Sequence, residues 1–424
     1  MQYSRISDAK PGERIALRGW VYRQRASKDI AFIVLRDSTG IIQCTVKNDK
    51  PFFKEAENLP IESSVTLEGM VKKDPRAPTG LEVEVDRLGV IQRAERFPIT
   101  KDQSVEFLLD VRHLAVRMQR LQHVFKIRHS VFGAIHDYFR SQGFWETQSP
   151  SFSPTAGESG GELFEVAYFD KKAYLTQTWQ LYAEAMIPVL ERIYTIAPSF
   201  RSNKSRTVRH LTEYWHAEAE WAWGDLDDLA RMESELVSHI CQTVAKERVA
   251  ELEALGRDPK QLSRIKPPFP RITYTEALEL IKKDGVEVPW GKDLRTEEER
   301  TIAKHFDKPV IVSHYPKKIM AFYKPSDPDD PRVALCNDVI CHETGEEIIG
   351  GSLRDPSIGE MKRALEEKGE KVDKYEWYFD TRRYGSVPHC GFGMGVERVV
   401  RWLAGLDNIR DAIPFPRTTD RFAP

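Results

Sequence analysis

The sequence predicts an α+β protein in two parts. An N-terminal five-stranded β-barrel of the OB-fold kind precedes a larger domain built on an antiparallel sheet flanked by helices. Three observations predict this. Residues 13–92 hold five short runs of alternating apolar and polar residues, with one helical stretch after the third. Residues 192–223 read as strand, basic loop, strand. The apolar runs after residue 330 pair as neighbours, without the βαβ alternation of a dinucleotide fold.

Composition sets the bounds. A chain of 424 residues, 41% hydrophobic with net charge −2, reads as a soluble globular protein of two or three domains. That balance argues against a general nucleic-acid coat but allows local basic patches. Five scattered cysteines, at 44, 241, 336, 341 and 390, do not make a disulfide framework and fit a reducing compartment. The start lacks the apolar core of a signal peptide, and no window has the length of a membrane span. The expected location is cytoplasmic, with no membrane partner.

In the barrel the expected strands are 13–24, 31–37, 41–46, 63–73 and 81–92, separated by STG and PTG turns, with a helix at 53–59. The strand face of such a barrel often binds single-stranded nucleic acid. Phe32 can stack on a base, Gln43 can bond one, and Arg25 can reach a phosphate or a base edge. The plainer reading of Phe32 is core. Residues 1–94 form this domain, and 95–120 read as a hinge.

The second domain is expected over 121–424. Val124, Ile127, Val131, Ile135 and Tyr138 fall at helical spacing, and Gly143 is placed to end that helix. Residues 145–152 look like a strand stopped near Pro150. Helix and strand could form a dimer surface or ordinary core. The glycine-rich stretch 155–164 carries Glu158 and Glu162. Residues 173–187 read as a strand turning into a helix, with Gln177, Thr178 and Gln180 near the turn.

The hairpin at 192–223 is the most informative segment. Its loop holds Arg201, Lys204, Arg206, Arg209 and His210. In its second strand Tyr214, His216, Glu218 and Glu220 share one face by the period of two. Acids on a half-buried strand must meet partners, because an unpaired buried charge is costly. The bland alternative is a solvated hairpin. Residues 225–300 read as a helical surface excursion without chemistry, and 309–323 as an apolar strand.

In 333–355, Asp338 and Glu347 lie on two runs that can pair, so two carboxylates could converge on Mg²⁺ beside phosphates. Gly350 and Gly351 permit close backbone approach, and Arg354 follows. Cys336, Cys341, His342, His389 and Cys390 invite a zinc reading, but they lack a clean CxxC pair. The stretch GFGMGVER reads as a turn feeding a helix, with Glu397 and Arg398 in its first turns.

Three features in order resemble the class II aminoacyl-tRNA synthetases: a helix and strand ending at Pro150, a strand-loop-strand opening on Phe200-Arg201, and a late GxGxER from Gly393 to Arg398. The barrel narrows the resemblance to the subgroup for aspartate, asparagine and lysine. It covers essentially the whole chain. RHLTEYW, EIIGGSLR and YGSVPHCGFGMGVER are most similar to archaeal-type asparaginyl-tRNA synthetases. The resemblance implies a homodimeric ligase that activates asparagine with ATP and Mg²⁺ and transfers it to the 3′ end of tRNA.

It also implies roles. Arg201 would hold the α-phosphate and the substrate carboxylate. Arg398 would lie against adenine or the γ-phosphate, with Tyr214 on adenine's other face and Gly395 lining the ATP site. Arg209 and His210 would meet the outer phosphates, and Asp338 and Glu347 would carry Mg²⁺. Glu158 and Gln180 would grip the α-amino group beside Gly351. Arg25, Phe32 and Gln43 would contact the anticodon, Phe32 by stacking on its middle uridine.

Asparagine differs from aspartate in offering N–H donors as well as an acceptor. By the resemblance, Arg354 supplies the donor, while Glu218 supplies the acceptor and repels a carboxylate. Aspartyl relatives carry Asp at the position of Glu218 and Lys at that of Ala183, and tend to read GGQR or GGSVR for GGSLR.

The chain departs from the family at Arg201-Ser202-Asn203, where Arg-Ala-Glu is usual, at Trp179 beside the amino-acid pocket, and in the loop before Phe32, which lacks a glycine. The alternatives are an aspartate–tRNA ligase, discriminating or not, and a non-catalytic tRNA-binding paralogue.

Overall fold

The computed structural model describes residues 3–155, 157, 163–204 and 207–424. The chain forms two compact units, residues 1–108 and 109–424.

The first unit is a closed barrel of β1 (Arg14–Ala26), β2 (Ile30–Arg36), β3 (Ile41–Lys47), β4 (Ser64–Lys73) and β5 (Leu81–Gln92), in the order β1-β2-β3-β5-β4. Helix α1 (Phe53–Glu57) lies between β3 and β4. Period-two alternation fills the interior with Leu17, Val21, Ile33, Leu35, Cys44, Val65, Val83 and their neighbours. Phe32 falls in the opposite phase and is not part of that core.

The stretch expected as a hinge carries two short helices, α2 (Val105–Asp110) and α3 (Arg112–Ala115). The buried Arg112 guanidinium ties α3 to the C-terminal segment, donating from Nε to the Pro414 carbonyl at 2.8 Å and lying 3.1 Å from Asp411. Helix α4 (Gln119–Ser141) buries Val124, Ile127, Val131, Ile135 and Tyr138. Gly143 leaves it at φ +76°, a conformation glycine adopts without strain. The strand expected at 145–152 is two short pieces, β6 (Trp145–Glu146) and β7 (Phe152–Ser153), in different sheets. Pro150, without an N–H, falls in the gap. β7 joins β8 (Glu165–Tyr168) and β9 (Lys171–Leu175) in a small sheet, and α5 (Gln180–Leu190) follows.

The main sheet has eight strands. After β10 (Arg192–Phe200) and β11 (Glu213–Ala222) come α6 (Leu226–Glu247), α7 (Val249–Ala254), α8 (Pro259–Ser263), β12 (Arg271–Thr273), α9 (Tyr274–Lys282), α10 (Thr296–Ala303), β13 (Val310–Ser313), β14 (Cys336–Cys341) and β15 (Glu346–Leu353). Then follow α11 (Ile358–Glu367), α12 (Glu376–Arg383), β16 (His389–Gly395) and α13 (Val396–Ala404). The order is β12-β13-β14-β15-β16-β11-β10-β6. Six central strands are antiparallel, and each edge pair is parallel. Parallel neighbours need a crossover, which α9 and α10 supply between β12 and β13.

Three expectations are corrected here. The stretch 225–300 is not a surface excursion, because α6 buries Leu229, Met232, Leu236, Val237, Ile240 and Val244 in the main core with α4 and α13. The strand in 309–323 ends at Ser313, where His314 takes φ +57° and the chain leaves the sheet. The GFGMG stretch is strand β16, not a turn. No helix of the described residues is long and apolar enough to cross a membrane.

Candidate active site

The two faces of β11 divide the labour. Ala217, Ala219 and Trp221 join the core, whereas His216, Glu218 and Glu220 point the other way. Strand β16 sets glycines opposite them, pairing Gly395 with His216, Gly393 with Glu218 and Gly391 with Glu220. A Cβ on Gly393 would collide with the His216 imidazole, and one on Gly391 with the Glu220 carboxyl. The glycines of β16 therefore make room for side chains on the neighbouring strand.

The row continues across the sheet, since Gly393 pairs with Gly350 and Gly350 with Asp338. Glu218 and Asp338 thus cap a line with two bare positions between them, roughly 14 Å long at the usual strand spacing. Above it lies a cleft of about 330 Å³ lined by Gln180, Arg201, Glu218, Asp338, Gly351 and Arg354, among others. Gly351 contributes backbone only. Its missing side chain would run into Glu233 of α6, on the core side.

A second cavity adjoins the first, lined by Arg201, Arg209, His210, Tyr214, Gly395 and Arg398. Arg201, His216, Glu347 and Gly393 line both. The Arg201 guanidinium carbon lies 5.7 Å from the centre of the Tyr214 ring. Arg398, two residues into α13, donates from Nη1 to the Glu347 carbonyl at 2.5 Å and lies 3.5 Å from its carboxylate.

Cations set the electrostatics. Burial, with Arg201 and Arg398 beside it, holds the His216 imidazole at about 3, so it is neutral at working pH. Burial and the charges of Arg398, Arg209 and Arg201 bring His210 to about 4. Arg209 is already paired, with Glu299 at 2.6 Å and Glu346 at 2.8 Å, and burial lifts Glu299 to about 7.

Glu347 Oε1 and Asp338 Oδ1 lie 2.9 and 3.4 Å from the place a Cβ on Gly350 would take, so the two carboxyls converge. Burial and the charge on Glu347 push Asp338 up. Arg398 and Arg201 outweigh burial and pull Glu347 down. This pair is the donor chemistry a magnesium ion takes. The five cysteines are free and buried, and no three His, Cys, Asp or Glu side chains gather to hold a metal among the described residues.

Glu218 is 4% exposed. It accepts hydrogen bonds from Thr178 Oγ1 and, at 2.9 Å, from the Trp179 backbone N–H. The Trp179 ring does not line the cleft. It packs with Ala183, Ile187 and Ile193. Arg354 forks onto Glu220, Nε to Oε2 at 3.1 Å and Nη2 to Oε1, while Nη1 donates to Ser352 Oγ. Those bonds take three of its five N–H donors. Glu158, Glu162 and Arg206 lie outside the described residues.

On the barrel, the Arg25 guanidinium sits 4.5 Å over the Phe32 ring, and the two residues pair across β1 and β2. Gln43 pairs with Glu82, to which its amide donates at 3.1 Å. The outer face therefore presents an aromatic ring with a cation over it, whereas the Gln43 amide is buried against Glu82.

Sequence reasoning missed Glu299, Lys324 and Glu184. Lys324 lines the larger cleft. Glu184 is 2% exposed and pairs with Arg382 at 2.5 Å. A lone acid in the apolar helix QLYAEAMIPVL was the available signal for Glu184. Nothing local marks Glu299, which is the last of three acids in a row.

The family model for class II tRNA synthetases of the D, K and N group matches residues 104–419, and that for the OB-fold nucleic acid binding domain matches 15–91. The asparagine–tRNA ligase of Thermococcus gammatolerans is 47% identical over 423 residues, 99% of this chain and 98% of that protein. Over all of both chains, the crystal structure of asparaginyl-tRNA synthetase from Pyrococcus horikoshii complexed with asparaginyl-adenylate superposes with a TM-score of 0.97 at 44% identity. The aspartyl-tRNA synthetase of Entamoeba histolytica, 24% identical, covers all of this chain and 93% of its own with a TM-score of 0.86, and shares the fold.

Proposed function

The chain belongs to the class II tRNA synthetases of the aspartate, lysine and asparagine group, and from that premise we infer that it joins asparagine to tRNA at the expense of ATP. One observation carries the assignment of residues. The cleft that holds Glu218 and Arg354 opens, at Arg201, onto a cavity lined by cations and an aromatic ring. That arrangement suits an amino acid in one compartment and a nucleotide in the other, with their reacting ends meeting at Arg201.

In activation, a carboxylate oxygen of asparagine attacks the α-phosphorus and pyrophosphate leaves. Both reactants are anionic, so the chain's task is to neutralise charge and align the ends. Arg201 bridges the α-phosphate and the carboxylate. Arg398 and Tyr214 take the two sides of the adenine, and His210 faces the outer phosphates. In transfer, a hydroxyl of the tRNA terminal ribose attacks the activated carbonyl and AMP departs. Gln180 accepts from the α-ammonium group, Glu218 accepts from the side-chain amide, and Arg354 donates to its oxygen.

Asp338 and Glu347 fit a magnesium ion, which when bound would neutralise phosphate charge. Asp338→Asn should abolish the rise in melting temperature that MgCl2 gives the ATP complex. The wild-type magnesium affinity should climb as pH rises towards the raised Asp338 value, because the ion displaces a proton. Equal magnesium response in both proteins would remove Asp338 from the site.

Arg25, Phe32 and Gln43 are assigned to the anticodon. Phe32→Ala should weaken tRNA binding by about 1–3 kcal/mol, the usual worth of one stacked base, and leave pyrophosphate exchange untouched. The exposed Trp145 on edge strand β6 supports a homodimer, which sedimentation would test.

The deciding experiment is amino-acid-dependent ATP–pyrophosphate exchange with asparagine and aspartate side by side. Preferential use of aspartate would overturn the substrate assignment.

A further inference from the structure

Behind the Arg354 wall lies a cluster centred on Glu184, which does not itself line the cleft. Glu184, on α5, is enclosed by Arg382 Nη2 at 2.5 Å, His389 Nε2 at 3.0 Å, the Tyr378 hydroxyl at 2.8 Å and the Gln180 amide at 2.9 Å. Its Oε1 is 3.8 Å from Arg354 Nε. Arg382 also donates to the Asp355 carbonyl at 3.0 Å, and His389 Nδ1 lies 2.8 Å from the Val387 carbonyl. Glu184, Glu220, Arg354 and Arg382 are each less than 9% exposed, so water screens them little.

Two acids and two guanidiniums therefore share one buried volume, which meets a separate cavity of about 240 Å³ at Glu184 and His389. Of these four, Arg354 and Glu220 line the cleft. Glu184 and Arg382 do not line it. A carboxamide needs directional donors from this wall and no net attraction. A carboxylate would instead be drawn by any surplus of positive charge. Ala183, next in sequence to Glu184, adds no cation. Whatever the charge on His389, each acid removed from the cluster adds one positive unit to the potential at the wall.

We propose that Glu184 is a specificity-determining positioning residue, whose charge, with that of Glu220, cancels the cations behind the pocket so that Arg354 offers hydrogen bonds without attracting a second carboxylate. This rests on the asparagine reading above. A merely structural acid would hold Arg382 in place and affect both amino acids alike.

The test is pyrophosphate exchange by the full-length protein, read as the quotient of kcat/KM for asparagine over aspartate. In Glu184→Gln the quotient should fall about 10-fold, through a gain with aspartate, the effect of one uncancelled charge against Arg354, 3.8 Å from Glu184, in a site that water screens little. In Arg382→Gln it should rise. The double variant restores the count and leaves no buried charge unpaired, so its quotient should return towards that of the wild type. The double variant and Arg382→Gln carry the test if Glu184→Gln does not fold. An unchanged quotient in the variants, or a double variant no better than Glu184→Gln, would overturn the proposal. The wild-type arm reports separately on the asparagine reading, which fails if the wild type does not activate asparagine.

Discussion

Arg201→Ala abolishes activation, with exchange expected to fall about 10³-fold or more, as for other arginines that meet a transferring phosphoryl group. The magnitude follows from its place. It lines both cavities, so in the proposed reaction its cation would neutralise the attacking carboxylate and the α-phosphate at once. Neither neighbouring arginine can substitute, because Arg398 is engaged with Glu347 and Arg209 with Glu299 and Glu346. Binding of tRNA, measured by filter retention, should stay nearly intact. Exchange that survived within 10-fold would remove Arg201 from the reacting centre.

Glu218→Ala should have the second largest effect, a loss of selection for the amide. The N–H donors of bound asparagine would go unpaired at a cost of about 1–3 kcal/mol. A second loss accompanies it. Glu218 also anchors Thr178 and the Trp179 N–H at the start of α5, next to Gln180. Asparagine use should therefore fall in both kcat and KM, and the repulsion of aspartate should vanish. If the asparagine-to-aspartate quotient were unmoved, Glu218 would be only an anchor for α5.

The barrel was legible nearly residue by residue, because alternation in a half-buried strand is a local signal. The acid face of β11 was legible for the same reason. What stayed hidden depends on distant partners. Glycines on β16 read as a turn, since composition alone does not reveal that His216 and Glu220 fill the space their side chains would take. Helix α6 read as surface because its acids and serines break the apolar stripe, yet Glu233 and Ser234 are buried beneath the sheet. Lys324 and Glu299 reach the site from segments whose local sequence is ordinary. The roles proposed for Arg201 and Arg398 rest on the order of motifs along the chain. Spacing alone left the hairpin open to a solvated reading.

Strand β11 carries the cleft-facing acids and the alanines of the core on the same ten residues. Deleting a single residue upstream within it would send Ala217 and Ala219 to the solvent side and drive three ionisable groups into hydrocarbon. Recognition and folding would then be lost in one event. Length variation in this segment should be confined to the loop at 201–212, where a change of one residue need not invert the strand.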